Sequence, residues 1–168
     1  MRVALLSMTL ASATFSWAQE KCEAFIDWQY VQPVDVYSAP GGKIIGQIRN
    51  DTVAEDLIGL EILDSRKSFV RVKATMLVSG KTQTGWIKKA DYIGAYYREE
   101  RTPTMDLTLF TDPSTKNPIV IQSWTPGVLA IEKCKGEWVL VSTACDGKKI
   151  VGWIRSIDLC ANPYTTCN

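Results

Sequence analysis

The 168 residues are 46% hydrophobic and 22% charged, the balance of a globular chain rather than of a disordered one. Removing Arg2, the one charge in the first eighteen residues, leaves eighteen basic against eighteen acidic residues, which argues against a nucleic-acid partner held by bulk charge. Histidine is absent, which excludes Ser-His-Asp and Cys-His catalysis.

The chain opens with Arg2, an apolar run from Val3 to Leu10, and Ser16-Trp17-Ala18, with small residues at the positions a signal peptidase inspects. Residues 1–18 are therefore expected to be a secretory signal, and the mature protein to be periplasmic or secreted. Ala18-Gln19-Glu20-Lys21 before Cys22 lacks the residues that precede a lipidated cysteine. No later segment reaches the ~20 apolar residues of a membrane span, so no span is expected in the mature protein.

Val34-Asp35-Val36-Tyr37-Ser38-Ala39-Pro40 alternates and then turns at a proline. Ile44 to Ile48 follows, then one turn of helical character near Val53 to Leu60, then Phe69-Val70-Arg71-Val72. Gly85-Trp86-Ile87-Lys88-Lys89-Ala90-Asp91-Tyr92 closes the series. The charged, proline-ended stretch from Arg98 to Pro103 marks a linker, taken as residues 95–106.

The same series then recurs as Leu107 to Pro113, Ile119 to Ile121, Trp138 to Val141 and Gly152-Trp153-Ile154. The offset drifts from 73 residues at the prolines to 69 at Phe69 and Trp138 and 67 at the Gly-Trp-Ile motifs, as small insertions in turns would produce. Short runs rich in β-branched and aromatic residues read as strands, with hairpins at Lys135-Gly136 and Asp146-Gly147. The expected fold is all-β, with a five-strand meander per copy closing into a small barrel: one over residues 19–94, the other over 107–168.

This running pattern resembles that of bacterial Src-homology-3-like (SH3-like) domains over about residues 31 to 160. It departs from them at Asp35 and Tyr37, where that family shows Asn and Arg, and at Phe69, where it shows Trp. The resemblance implies two tandem SH3-like barrels and a non-catalytic binding module of the cell envelope that recognises peptidoglycan or its peptide stems. A protein-binding inhibitor or immunity-type factor against a secreted hydrolase is the alternative, and a carbohydrate-active enzyme the third.

All five cysteines lie after the signal, and an oxidising compartment favours disulfides. Cys160 and Cys167 flank a turn-prone loop suited to a bridge, and four of the five fall after residue 130, so bridges are expected to staple the C-terminal half. Cys134 and Cys145, read as the two ends of one strand, should not pair. Without histidine or a Cys-x-x-Cys pair, neither a metal nor a cofactor is called for.

Among the acids, Asp56, Glu61, Glu132 and Glu137 are the candidates for two-carboxylate chemistry, but no spacing singles out a pair. Trp86, Trp153, Trp138 and Phe69 occupy repeated strand positions and are assigned to the core. Tyr37 and Phe110 begin the first loop of each copy, where burial and ligand contact weigh equally. Trp124 stands in a Pro-Gly turn where the first copy carries polar residues, and is expected to touch a ligand, a partner or the other barrel. With Tyr37, Tyr96 and Tyr97 across the interdomain cleft it would form a stacking surface.

Overall fold

A computed structural model describes residues 22–98, 103–165 and 167; the expected signal sequence lies outside them. The described residues form thirteen β-strands and one 3-10 turn, Ser156–Asp158. The strands are β1 (Cys22–Ile26), β2 (Val34–Tyr37), β3 (Ile44–Ile48), β4 (Ile58–Arg66), β5 (Phe69–Met76), β6 (Thr82–Lys88) and β7 (Ile93–Tyr97). They continue as β8 (Met105–Phe110), β9 (Pro118–Trp124), β10 (Leu129–Lys135), β11 (Trp138–Cys145), β12 (Lys148–Arg155) and β13 (Leu159–Cys160). None of the described residues lies in a helix long and apolar enough to cross a membrane.

The pairing is antiparallel throughout and forms one open sheet in the order β3-β2-β6-β5-β4-β1-β7-β10-β11-β12-β8-β9, with β13 on β7. The expected meander holds for β4-β5-β6 and for β10-β11-β12, but each hairpin that precedes them joins at the far side, through β2 on β6 and β8 on β12. In the first half a longer connection, residues 49–57, makes this possible, whereas in the second residues 125–128 suffice. Between β3 and β4, where one helical turn was expected, Asp51 and Asp56 bridge, and the Asp56 carboxylate accepts the Val78 and Ser79 amides at 2.8 and 3.2 Å. The buried Asn50 amide donates to the Asp27 carbonyl at 2.9 Å and accepts from the Ile58 amide at 3.0 Å, so the two buried polar side chains of the loop, Asn50 and Asp56, are both paired.

The two Gly-Trp-Ile motifs explain how the hairpins dock. A Cβ on Gly85 would run into Val36, and one on Gly152 into Leu109, so only glycine lets β6 cross β2 and β12 cross β8 this closely. The isoleucine of each motif then points inward: Ile87 and Ile154 are buried in a single apolar cluster with Val36, Val70, Leu109 and Val141. At the second expected hairpin, Asp146 and Gly147 both take positive φ, 50° and 72°, as a tight Asp-Gly turn requires.

The segment expected as a linker over 95–106 is partly sheet: Ala95–Tyr97 ends β7 and Met105–Asp106 begins β8. Moreover, β7 has two roles. It pairs with β1 as the last strand of the first copy, Phe25 opposite Gly94 and Ile26 opposite Ile93. It also pairs with β10 and β13 as β1 pairs with β4 and β7, Ala95 meeting Leu129 as Ala24 meets Leu60. Thus β7 stands where a first strand of the second copy would stand, and Gly94 is the close approach that this demands, since a Cβ there would strike the Leu129 carbonyl.

The disulfides follow the same theme. Cys160–Cys167 closes the C-terminal loop as expected, with Cα atoms 5.6 Å apart. The other bridge does not staple the C-terminal half internally but ties β1 to β10, Cys22 to Cys134, across 112 residues of chain. Cys134 and Cys145 do remain unpaired with each other, though they lie on neighbouring strands rather than on one; Cys145 is free and half-buried.

Candidate functional site

Strand alternation decides which residues could meet a ligand. On β2, β5 and β6 the buried side chains are Val34, Val36, Val70, Val72, Ala74 and Ile87, so Tyr37, Phe69 and Trp86 stand on the opposite, outer face. All three are partly exposed. On β8, β11 and β12 the same parity places Phe110, Trp138 and Trp153 outward, again partly exposed. The core assignment of Phe69, Trp86, Trp138 and Trp153 is therefore corrected: a residue next to Ile87 or Ile154 in a strand cannot share its face. The motif itself carried that signal.

The two trios have one geometry. Tyr37 lies directly across from Trp86 and its ring meets Phe69 edge to face, 5.6 Å between centroids at 85°. Phe110 lies directly across from Trp153 and meets Trp138 edge to face, 5.7 Å at 86°. Cations flank the first trio: Arg66 sits 5.9 Å from the Trp86 ring and Lys88 5.9 Å from the Tyr37 ring, within reach of cation–π attraction. The Tyr37 hydroxyl donates to Asp35 at 3.4 Å, and Gln47 donates to the same carboxylate at 2.8 Å. At the second trio Arg155 pairs with Glu137 at 3.5 Å.

The four residues expected to form a stacking surface are not brought together. Tyr37 belongs to the first trio on β2, while Tyr96 and Tyr97 are on β7, with β6, β5, β4 and β1 between them in the sheet. Tyr96 packs on Phe25 with centroids 4.7 Å apart and pairs through its backbone with Cys160, as Tyr97 does with Leu159, so both belong to the junction. Trp124 is 2% exposed, and its indole N–H donates to the Thr143 hydroxyl at 3.0 Å. It is a core residue of the second half, because the end of β9 turns in over β11; a ring so enclosed has no face left for a ligand.

The candidate acids are each engaged separately. Asp56 clamps its loop, and its carboxyl is held below the usual range, chiefly by the Ser79 side chain. Glu61 faces Glu23 and Lys73 across the strands, and Glu137 holds Arg155. Glu132 is the polar node of the junction. Its carbonyl accepts from Ser65 and Lys89 of the first half, and its carboxylate accepts from Ser142 at 3.0 Å and Lys149 at 2.9 Å. Burial pushes the Glu132 carboxyl up, but those two hydrogen bonds and the charges of Lys149 and Lys89 outweigh it and leave it below the ordinary carboxylate value. The Lys89 ammonium is shifted down, first by burial and then by its lysine neighbours.

What the arrangement offers chemically is two rigid aromatic surfaces in equivalent positions. Comparison of the chain with protein-family models, with curated proteins and with solved structures finds no match.

Proposed function

We propose that the chain is a non-catalytic, exported binding module of the bacterial cell envelope, made of two SH3-like barrels that share β7, and that it holds peptidoglycan or its peptide stems on the two aromatic trios. The observation that carries this reading is the repetition of Tyr37, Phe69 and Trp86 as Phe110, Trp138 and Trp153, all turned away from the core. A folding core gains nothing from three large rings held half in water, whereas a ligand face does, because rigid aromatics supply contact area at small entropic loss. Two disulfides support residence in an oxidising compartment. Cosedimentation with purified sacculi tests the proposal. Trp86→Ala and Trp153→Ala should each weaken capture, and the double variant should lose at least ~2 kcal/mol of affinity while melting near the parent temperature. A folded double variant that sediments like the parent, or a parent that stays in solution, overturns it.

A further inference from the structure

Bordering the second trio at Glu137 and Arg155, a cleft of about 830 Å³ opens where the two halves and the C-terminal loop meet. Its size is that of a small-molecule or short-peptide site, and junctions between folding units are where such sites form. Its lining contains apolar side chains that remain in contact with water: Leu77 is 43% exposed, Tyr164 48% and Ile157 64%. None of the six trio rings lines it.

The wall is built rather than incidental. The Cys160–Cys167 bridge closes the loop, the Asn162 side chain accepts the Tyr164 amide at 2.9 Å, and the Tyr164 hydroxyl takes the Leu57 amide at 3.1 Å while donating to the Glu55 carbonyl. The loop is thereby fixed to the first half, and a ligand entering would find its site already ordered.

Charge says what that ligand is. A side hollow of about 260 Å³ shares Glu23, Leu77 and Ala161 with the cleft, so the two form one groove. At this end Glu23 lies directly across from Glu61 on the neighbouring strand, a like-charge pair that disfavours the sheet. Lys73, across from Glu61 on its other side, also lines the hollow and offsets one of the two carboxylates; the Glu23 carboxylate has no hydrogen bond or ion pair among the described residues, so a ligand ammonium there would balance the remaining charge. At the other end the Arg98 guanidinium donates to two carbonyls, of Leu159 at 3.2 Å and Cys167 at 3.4 Å. It forms no ion pair with a described carboxylate, although Asp158 adjoins it through the backbone, whereas the nearby Arg155 is matched by Glu137.

We propose that this groove binds a short peptide carrying an ammonium side chain, aliphatic residues and a free C-terminal carboxylate, with the ammonium at Glu23 and Glu61, the aliphatic part on Leu77 and Ile157, and the carboxylate at Arg98. The site uses none of the six trio rings, although Glu137 and Arg155 beside the second trio form its edge, and it does not depend on the trios' role.

The test is titration of the oxidised full chain with N-acetyl-Lys-Leu-Ala-Ala, followed by amide shift mapping. Two controls accompany it: the same peptide with norleucine for lysine, and the same peptide as its C-terminal amide. Shifts should centre on Leu77, Ile157 and Ala161, each control should bind at least tenfold more weakly, and Glu23→Gln should abolish the preference for lysine over norleucine. Glu23 and Ile157 are exposed, so Glu23→Gln and Ile157→Ala should keep the parent spectrum elsewhere; Ile157→Ala should weaken all three peptides alike. No shifts at millimolar peptide, equal binding of all three peptides, or shifts confined to the neighbourhood of Trp86 and Trp153 would each overturn the assignment.

Discussion

In the first half Arg71 lies across from Trp86 on the outer face, with Arg66 and Lys88 beside the rings. In the second half the place of Arg71 is taken by Leu140, across from Trp153, and the counterpart of Lys88, Arg155, is tied to Glu137. Beneath these faces the frames match closely: the same glycine crossing, the same inward isoleucine, the same edge-to-face ring pair. The two halves also differ in how they begin, since the first has β1 for itself and the second takes over β7. Fold and face have diverged separately, so substitutions in the frame should act on both halves together and substitutions on the face on one at a time.

The largest effect should come from Trp124→Ala. Removing a ring that is 2% exposed leaves a cavity and an unpaired Thr143 hydroxyl, a loss of about 3 to 5 kcal/mol. Urea unfolding measures it, and a loss below about 1 kcal/mol would return Trp124 to the surface role expected from its turn. Next comes Gly94→Val, at about 3 kcal/mol, because β7 has a strand on each side and the Leu129 backbone cannot yield. Calorimetry should show one transition lowered as a whole. Two transitions, with only one displaced, would mean that the halves are independent domains and that the shared strand couples nothing.

A smaller effect is expected at Glu132. Its folded carboxyl is held below the usual value of about 4.3, so the stabilisation is complete above that pH and is lost as pH falls through the lower, folded value. Glu132→Gln should cost about 1 kcal/mol at neutral pH, allowing for its partial exposure to solvent, and should flatten the acid limb of stability between about pH 5 and 3. An unchanged acid limb would remove Glu132 as the junction's charged node.

How much of this was legible in the sequence follows from the kind of interaction involved. Strands, hairpins and the repeat were readable because alternation and Asp-Gly turns are local. Which strand pairs with which was not, since Tyr37 meeting Trp86 and Ala95 meeting Leu129 depend on contacts distant in the chain. That is why the region 95–106 read as a linker: its charges and proline are local facts, while the burial of Ala95 between β1 and β10 is not. Trp124 misled for the same reason, as its polar counterparts in the first half say nothing of Thr143 waiting on β11. The outward tryptophans were legible by parity alone, had the period of two been carried through the Gly-Trp-Ile motif.

The smallest effect, and the one that probes the faces directly, concerns salt. Arg71 is exposed and lies among Arg66 and Lys88, with Asp64 and Asp35 as the nearby acids, so the first trio presents an excess of positive charge. The second trio has Lys133 across from Leu140 and Lys135 across from Trp138, where the first has Asp64 and Arg66, so with Arg155 matched by Glu137 it too presents an excess of positive charge. An anionic ligand held on the first trio should therefore lose a few-fold in affinity between about 0.05 and 0.5 M salt, as exposed charges are screened over that range. One held on the second, where Lys133 and Lys135 flank the rings, should lose at least as much. In variants with one trio disabled, Trp153→Ala leaves the first face and Trp86→Ala the second, so each dependence can be read alone by calorimetric titration of soluble peptidoglycan fragments. Arg71→Leu in the first background should flatten the salt dependence, and Leu140→Arg in the second should steepen it. Both changes lie on the outer face, so melting temperatures should move by no more than the few tenths of a kcal/mol that exposed charges are worth. If neither face responds to salt before the exchange, or if the exchange leaves both unaltered, the charges around the rings have no part in what the two faces bind.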